Sequence, residues 1–370
     1  METGKTRSID ELMMAECLRL AEKGKGHVSP NPMVGAVLVR KGSILSRGYH
    51  RRFGGPHAEI ECLRKSRRDA RGATLYVNLE PCSYFGKTPP CTEAILRAGI
   101  RRVVIGMKDP NPLVSGRGIR RLRQGGVDVH VGVLRKEAEE LNRAFRKHIT
   151  TGLPYVHLKI AQTVDGKIAP IGERKFWLTS EQSRGIVHRW RAQHDAVLVG
   201  AGTIRADDPL LTVRKIAGRN PDVVILDGRL AVDPGSRVFV RGRQRRVFLC
   251  VDRTFAKRYT TKVTQLEGMG VRVLRFAGRS GIIPLRGVLR ALYAEGIGSL
   301  LVEGGATVFR HFVEQSMVDE LSLFVAPWIM GDGVAAFGGL SGLRGRRRKK
   351  LTWLQPEQIG TDLLLRAYSS

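Results

Sequence analysis

Aromatic residues make up only 6% of this 370-residue chain, too few for the stacking surfaces on which single-stranded RNA binders lay their bases. Its five cysteines are too few and too scattered for a disulfide scaffold. No run approaches the roughly 18–20 apolar residues of a membrane span. No apolar segment follows Met1–Asp10 as a secretory signal requires. These gaps predict a cytoplasmic protein of a reducing compartment with no membrane partner. Acidic residues are short as well: 34 stand against 63 basic ones, a net charge of +29 shared almost evenly by the two halves. A field of that sign favours anionic ligands, either phosphorylated metabolites or nucleic acid.

What is present is ordinary for a folded chain, 42% hydrophobic and 26% charged. The length exceeds what one hydrophobic core usually supports, so two domains are expected, 1–150 and 151–370. Both read as α/β, because short apolar runs alternate with amphipathic stretches. In the first, Asp10 is the expected N-cap of a helix running to about Lys25, with Leu12, Met13, Cys17, Leu20 and Ala21 at helical spacing. Gly35–Val39 and Ser43–Gly48 read as a hairpin, and Ala73–Val77, Arg102–Gly106 and Val127–Val131 as strands. Helices are predicted over His57–Lys65, Thr92–Ala98, Ile119–Gln124 and Glu137–Lys147. Gly152 and Pro154 end the last of these, and a fresh strand, Tyr155–Ile160, opens the second domain. Further strands are predicted at Ala196–Val199, Val223–Leu226, Arg246–Cys250, Val271–Leu274, Ser299–Val302 and Leu321–Val325. The basic run Arg344–Lys350 reads as a solvated loop.

The strongest chemical signal is His57-Ala58-Glu59, followed by Pro81-Cys82 and, nine positions on, Cys91. One His and two Cys suit zinc. A structural zinc normally takes four protein ligands, so three leave a position for water, and Glu59 lies where it can handle that water's protons. His57 and Cys91 fall at predicted helix starts, where the helix dipole favours the Cys91 thiolate. The bland alternative is a closed zinc knot or unconnected buried cysteines, which is the preferred reading for Cys17, Cys62 and Cys250.

The His-x-Glu and Pro-Cys pattern resembles the zinc-dependent cytidine-deaminase superfamily. Nucleoside and nucleic-acid deaminases usually carry Pro-Cys-x-x-Cys, whereas eight residues separate Cys82 from Cys91 here. Together with Pro30–Gly35, Gly48-Tyr-His50, Gly55–Glu59, Leu79–Cys82 and Asp109–Gly118, this spacing is similar to that of the riboflavin-biosynthesis pyrimidine deaminases. The resemblance implies a three-layer cytidine-deaminase-like domain. It further implies His57, Cys82 and Cys91 on one zinc ion per chain, Glu59 as proton shuttle, and a phosphorylated diaminopyrimidinone ribosylamine as substrate, with Asn31 on its pyrimidine. Tyr84 departs from the His that the family usually carries after Cys-Ser.

Read alone, Val199-Gly-Ala-Gly-Thr-Ile-Arg205 is half of a dinucleotide fingerprint, with Arg205 in place of the third small residue. Val302-Glu-Gly-Gly-Ala-Thr307 is a strand-to-helix turn whose glycines let phosphate approach backbone amides. Each is as readily a structural turn. With Lys159–Lys167, Trp177–Ser180, Arg191 and Thr203–Arg214, however, they are similar to the NADPH-dependent pyrimidine reductases fused behind that deaminase. The resemblance implies a dihydrofolate-reductase-like domain in which Ala161, Trp177, Thr203, Asp207, Gly304, Gly305, Ala306 and Thr307 hold NADPH. Arg191, Leu211, Arg214 and Glu303 would hold substrate, the two arginines on its phosphate. Ala161 stands where some members have Gly, and Gly172–Trp177 lacks a family Ser near Arg174 and Lys175; Lys159 and Asp165 persist.

A bifunctional enzyme is therefore expected: deamination first, then reduction of ribosyl to ribityl, in a homo-oligomer. The alternatives are a deaminase with a degenerate reductase half, and a nucleic-acid deaminase suggested by +29. The cysteine spacing, scarce aromatics and evenly spread charge argue against any nucleic-acid partner.

Overall fold

The structure is a computed structural model that describes residues 7–66, 70–85, 89–172, 177–240, 245–340 and 350–369. The chain divides into two compact units after Gly152. The basic run at 344–349 and the Arg174 and Lys175 positions lie outside the described residues.

The N-terminal unit is a five-stranded sheet between helices. Its strands are β1 (Gly35–Arg40), β2 (Ser43–Tyr49), β3 (Thr74–Leu79), β4 (Arg102–Met107) and β5 (Asp128–Val131), in the order β2-β1-β3-β4-β5. β1 runs antiparallel to both β2 and β3, and β3, β4 and β5 are mutually parallel. Alternation along β1 sorts the layers. Ala36 and Leu38 face α2 (Ala58–Lys65), α3 (Cys91–Arg97) and α4 (Arg117–Gln124) through Cys62, Ile95 and Leu122. Val37 and Val39 face Met14, Cys17 and Leu20 of α1 (Ile9–Glu22).

Two expectations for this unit need correction. Ser8, not Asp10, caps α1, in a reciprocal capping box with Glu11. Asp10 lies in the first turn, where both its oxygens take Arg102 N–H groups at 2.9 and 2.7 Å and one also accepts Tyr76 Oη. The charged helix expected over 137–147 is two helices, α5 (Arg135–Leu141) and α6 (Arg143–Thr151). The break falls at Asn142, a residue 1% exposed, whose side chain holds both the N–H and the carbonyl of Met33.

The C-terminal unit is built on a ten-stranded sheet. Its strands are β6 (Tyr155–Thr163), β8 (Ala196–Gly200), β9 (Asp222–Leu226), β10 (Val247–Asp252), β11 (Val271–Phe276), β12 (Ser299–Glu303), β13 (Glu320–Ala326), β15 (Leu351–Trp353), β16 (Glu357–Ile359) and β17 (Asp362–Ser369). The order is β11-β10-β9-β8-β12-β6-β13-β17-β15, with β16 also on β17. β11 through β13 are parallel; β17 turns antiparallel. Helices cover both faces, so β8, β10 and β12 are buried along their whole lengths and read as continuous apolar runs. Leu198, Phe248 and Leu300 pack toward Leu289 and Phe312, while Val197, Ile225 and Leu249 pack toward Val263 and Leu266 on the other face. A separate antiparallel ribbon joins β7 (Lys167–Pro170) to β14 (Gly333–Ala335).

Candidate active sites

In the N-terminal unit the sequence folds three zinc-type donors onto adjoining element ends. His57 is the N-cap of α2, Cys91 is the first residue of α3, and Cys82 follows the end of β3. Their ligand atoms all lie within 4.8 Å of one another. His57 Nδ1 stands 3.6 Å from Cys82 Sγ and 3.3 Å from Cys91 Sγ. Donors around a tetrahedral zinc at about 2.0–2.3 Å are about 3.5–3.8 Å apart, so the residues present fit that ion.

The helix start acts on the other sulfur from the one expected. The Cys91 N–H donates to Cys82 Sγ at 3.3 Å. Hydrogen bonding from the Cys91 thiol, with His57 and that backbone amide adding to it, outweighs burial and lowers the Cys82 thiol to about 4. Cys91, facing that thiolate and buried, is pushed well up.

Glu59 lies in the first turn of α2, 3% exposed, and burial raises its carboxyl above the usual range against the opposing pull of His57. Burial thus favours the protonated carboxyl, the direction an acid–base group needs. Asn31 and His50 form a second polar pair. His50 Nδ1 meets the Pro56 carbonyl at 2.9 Å, so that nitrogen carries the proton. Its Nε2 must then accept from Asn31 Nδ2 at 3.2 Å. Burial lowers the His50 pKa, which favours this neutral tautomer. The amide of Asn31 is thus oriented by His50.

Glu80, in the Leu79–Cys82 stretch, has a role that the sequence pattern does not reveal. Its carboxylate, 5% exposed, accepts the backbone N–H groups of Asp109, Gly116, Gly118 and Ile119 at 2.9–3.2 Å. It thereby ties the Asp109–Gly118 stretch to the peptide that carries Cys82. Gly118 approaches so closely that a Cβ there would stand 2.1 Å from the Pro81 carbonyl oxygen.

In the C-terminal unit β8 and β12 are parallel neighbours, so the turns at their carboxyl ends lie side by side. Ligands in open α/β sheets gather at such ends. Thr203, in the helix Ala201–Asp207, sits against the turn after β12: a Cβ on Gly304 would meet Thr203 Oγ1 at 3.0 Å. Gly304 and Gly305 have φ of 113° and 86°, which side chains rarely adopt. Gly305 caps the helix Ala306–Glu314, whose free amides begin at Ala306 and Thr307. Asp207 lies one helical turn beyond Thr203, and burial raises its carboxyl. Trp177 is 72% exposed, with the Arg184 guanidinium 5.0 Å above its ring.

Of the expected substrate residues, Glu303 ends β12 and Arg191 joins it to the segment that carries Leu211 and Arg214. Glu303 takes Arg191 in a two-pronged pair at 2.6 and 2.7 Å, and Arg191 Nη1 also reaches the Thr212 carbonyl at 3.2 Å. Arg191 is thus already neutralised by Glu303 rather than free for a phosphate. Burial pushes the Glu303 carboxyl up, but Arg191 and Lys159 outweigh it and hold it low. Lys159 lies opposite Glu303 in the β6–β12 register, and burial lowers its ammonium pKa. Arg214 is not so compensated: burial and the charges of Arg191 and Arg237 lower its pKa. Ala161 follows Lys159 on β6, paired with Phe324 of β13.

Comparison with known proteins fits both sites. Residues 7–107 match the cytidine and deoxycytidylate deaminase zinc-binding region, and residues 154–365 match the RibD C-terminal domain. A riboflavin biosynthesis protein RibD from Aquifex aeolicus is 42% identical over 361 residues, covering 97% of this chain and 98% of its own. The chain belongs to the RibD family. The solved structure of Acinetobacter baumannii RibD aligns with a TM-score of 0.85 at 32% identity, covering 98% of this chain and 99% of that one. A Thermotoga maritima protein described as a diaminohydroxyphosphoribosylaminopyrimidine deaminase/5-amino-6-(5-phosphoribosylamino)uracil reductase aligns at 0.83 and 38% identity, covering 98% and 99%. As a RibD-family member the chain is a bifunctional riboflavin-biosynthesis enzyme, with a zinc-binding deaminase unit and a reductase unit. No helix among the described residues is long and apolar enough to cross a membrane.

Proposed function

We propose that the N-terminal unit hydrolyses the exocyclic amine of 2,5-diamino-6-(ribosylamino)-4(3H)-pyrimidinone 5′-phosphate, and that the C-terminal unit reduces the ribosyl group of the product to ribityl with NADPH. The observation that carries the first half is the convergence of His57 Nδ1, Cys82 Sγ and Cys91 Sγ beside the buried carboxyl of Glu59. One zinc per chain, bound by those three residues, would supply Lewis acidity and a water of lowered pKa. Glu59 takes one proton from the attacking water and delivers it to the ring nitrogen, then takes the second from the hydroxyl left on the ring carbon and delivers it to the exocyclic amine, which leaves as ammonia as the ring carbonyl forms. Asn31, oriented by His50, holds the pyrimidine edge through its free carbonyl oxygen.

In the reductase half NADPH supplies the hydride. Gly304–Thr307, Thr203, Asp207, Trp177 and Ala161 would hold it, the free amides after Gly305 offering donors suited to its phosphates. Leu211, Arg214, Arg191 and Glu303 hold the ribosylamino substrate, with Arg214 on the phosphate and the Arg191–Glu303 pair on its neutral polar groups. Support for this assignment comes from Arg191, which joins Glu303 at the end of β12 to Thr212 in the segment that carries Leu211 and Arg214. Incubation with the diaminopyrimidinone substrate tests the whole reading. Without NADPH one equivalent of ammonia and the ribosyl product are expected; with it, the ribityl product and equal NADPH oxidation. Metal analysis should give one zinc per chain. Release of ammonia without NADPH oxidation would leave a deaminase with an inactive second half.

A further inference from the structure

Between the helix Ala201–Asp207 and β9 runs a segment, 208–214, with neither helix nor strand. Its polar backbone is satisfied by side chains from distant positions. Val213 N–H goes to Asn220 Oδ1 at 2.8 Å, Arg214 N–H to His188 Nδ1 at 3.2 Å, and the Thr212 carbonyl to Arg191. The two carbonyls that precede these, of Leu210 and Leu211, are both taken by Arg245, the latter at 2.6 Å. Leu211 is 3% exposed yet has φ of 53°, a left-handed conformation that its side chain disfavours. Something outside the segment must hold that turn.

We propose that Arg245 is a positioning residue of the reductase site, its planar guanidinium fixing the Leu210–Leu211 turn so that Leu211 and Arg214 meet the phosphorylated substrate. Two consecutive carbonyls on one rigid fork is a geometry that guanidinium serves and ammonium does not. The outer nitrogens of Arg245 are spent on carbonyls and its Nε is buried without a partner among the described residues, so its positive charge stays in place beside Arg191. Burial, and next the Arg191 charge, depress its pKa to about 10. The opposing charge that reaches Arg245, Asp222, is itself paired with Arg246, an arrangement that suits a segment meant to receive an anion. This inference rests on the reading of the reductase half given above.

The test uses the full chain with Arg245→Met and Arg245→Lys. Both should raise KM for the deaminated substrate roughly ten-fold or more, the scale of losing hydrogen bonds to a charged group. KM for NADPH, and the deaminase rate, should stay within about two-fold, which a general loss of folding would not allow. Lysine keeps the charge and loses the fork, so a normal KM in Arg245→Lys overturns the positioning role. Calorimetric binding of ribose 5-phosphate provides a readout free of turnover. If wild type fails to oxidise NADPH but binds ribose 5-phosphate and both variants weaken that binding, the reductase assignment falls and Arg245 keeps its role. If binding is absent or indifferent to Arg245, the inference is overturned.

Discussion

Glu59 shows how one side chain divides the two chemistries. It lies two residues from His57, buried, with a raised carboxyl, yet three other groups already complete the donor set. Glu59→Gln preserves shape and removes the titrating group. Deamination is expected to fall about 10²–10⁴-fold, the contribution typical of a positioned acid–base residue. Zinc content by elemental analysis should stay at the wild-type level, and reduction of pre-deaminated substrate should continue. Loss of zinc in this variant would make Glu59 a ligand instead. Cys82 teaches a related lesson: the amide at the start of a helix can serve a sulfur outside that helix, since the Cys91 N–H donates to Cys82 Sγ.

At the scale of elements, the Asp109–Gly118 loop and the start of α4 depend on one carboxylate. Glu80→Gln keeps a single acceptor oxygen for four backbone donors and turns an NH₂ group toward the others. Each buried amide left without a partner costs about 1–3 kcal/mol, so a lowered melting temperature and weakened deamination are expected together. Unchanged melting would show that the loop is held by other means. Most buried strands were legible because their patterning is local: β8 is an apolar run. Cys17, Leu20 and Ala21 mark the packing face of α1, although Leu12, expected on that face, is 49% exposed and Met14 takes its place. The long strand β17 was not foreseen. The break at Asn142 was not legible, because its cause is Met33, 109 positions away. Nor were β14, β15 and β16, each three residues long and stabilised only by a neighbouring strand. Among site residues, donors with distinctive chemistry such as His57, Cys82 and Cys91 announced themselves. Arg245 could not, since an arginine in a basic stretch looks solvated until its carbonyl partners are seen.

For the molecule as a whole, the charge of +29 meets substrates that carry a phosphate. Field-driven encounter weakens as salt shortens the Debye length, about 8 Å at physiological strength. The ratio kcat/KM of each activity should therefore decline between about 0.05 and 0.5 M salt while kcat holds steady, measured for each reaction separately. A flat profile would mean that the arginine excess does not steer substrate.

The strand order also sets a timetable for synthesis. β6 is made first of its sheet, at residues 155–163, but its two partners are β12 at 299–303 and β13 at 320–326. A ribosome adding about 5–20 residues per second emits β6 many seconds before either neighbour exists. Through that interval a largely apolar strand waits with both edges open, a template for any passing extended chain. The N-terminal sheet faces no comparable delay, since β1 finds β2 across a two-residue turn. Nascent chains halted between residues 200 and 290 should thus be the ones that bind chaperones and aggregate, with the N-terminal unit already closed.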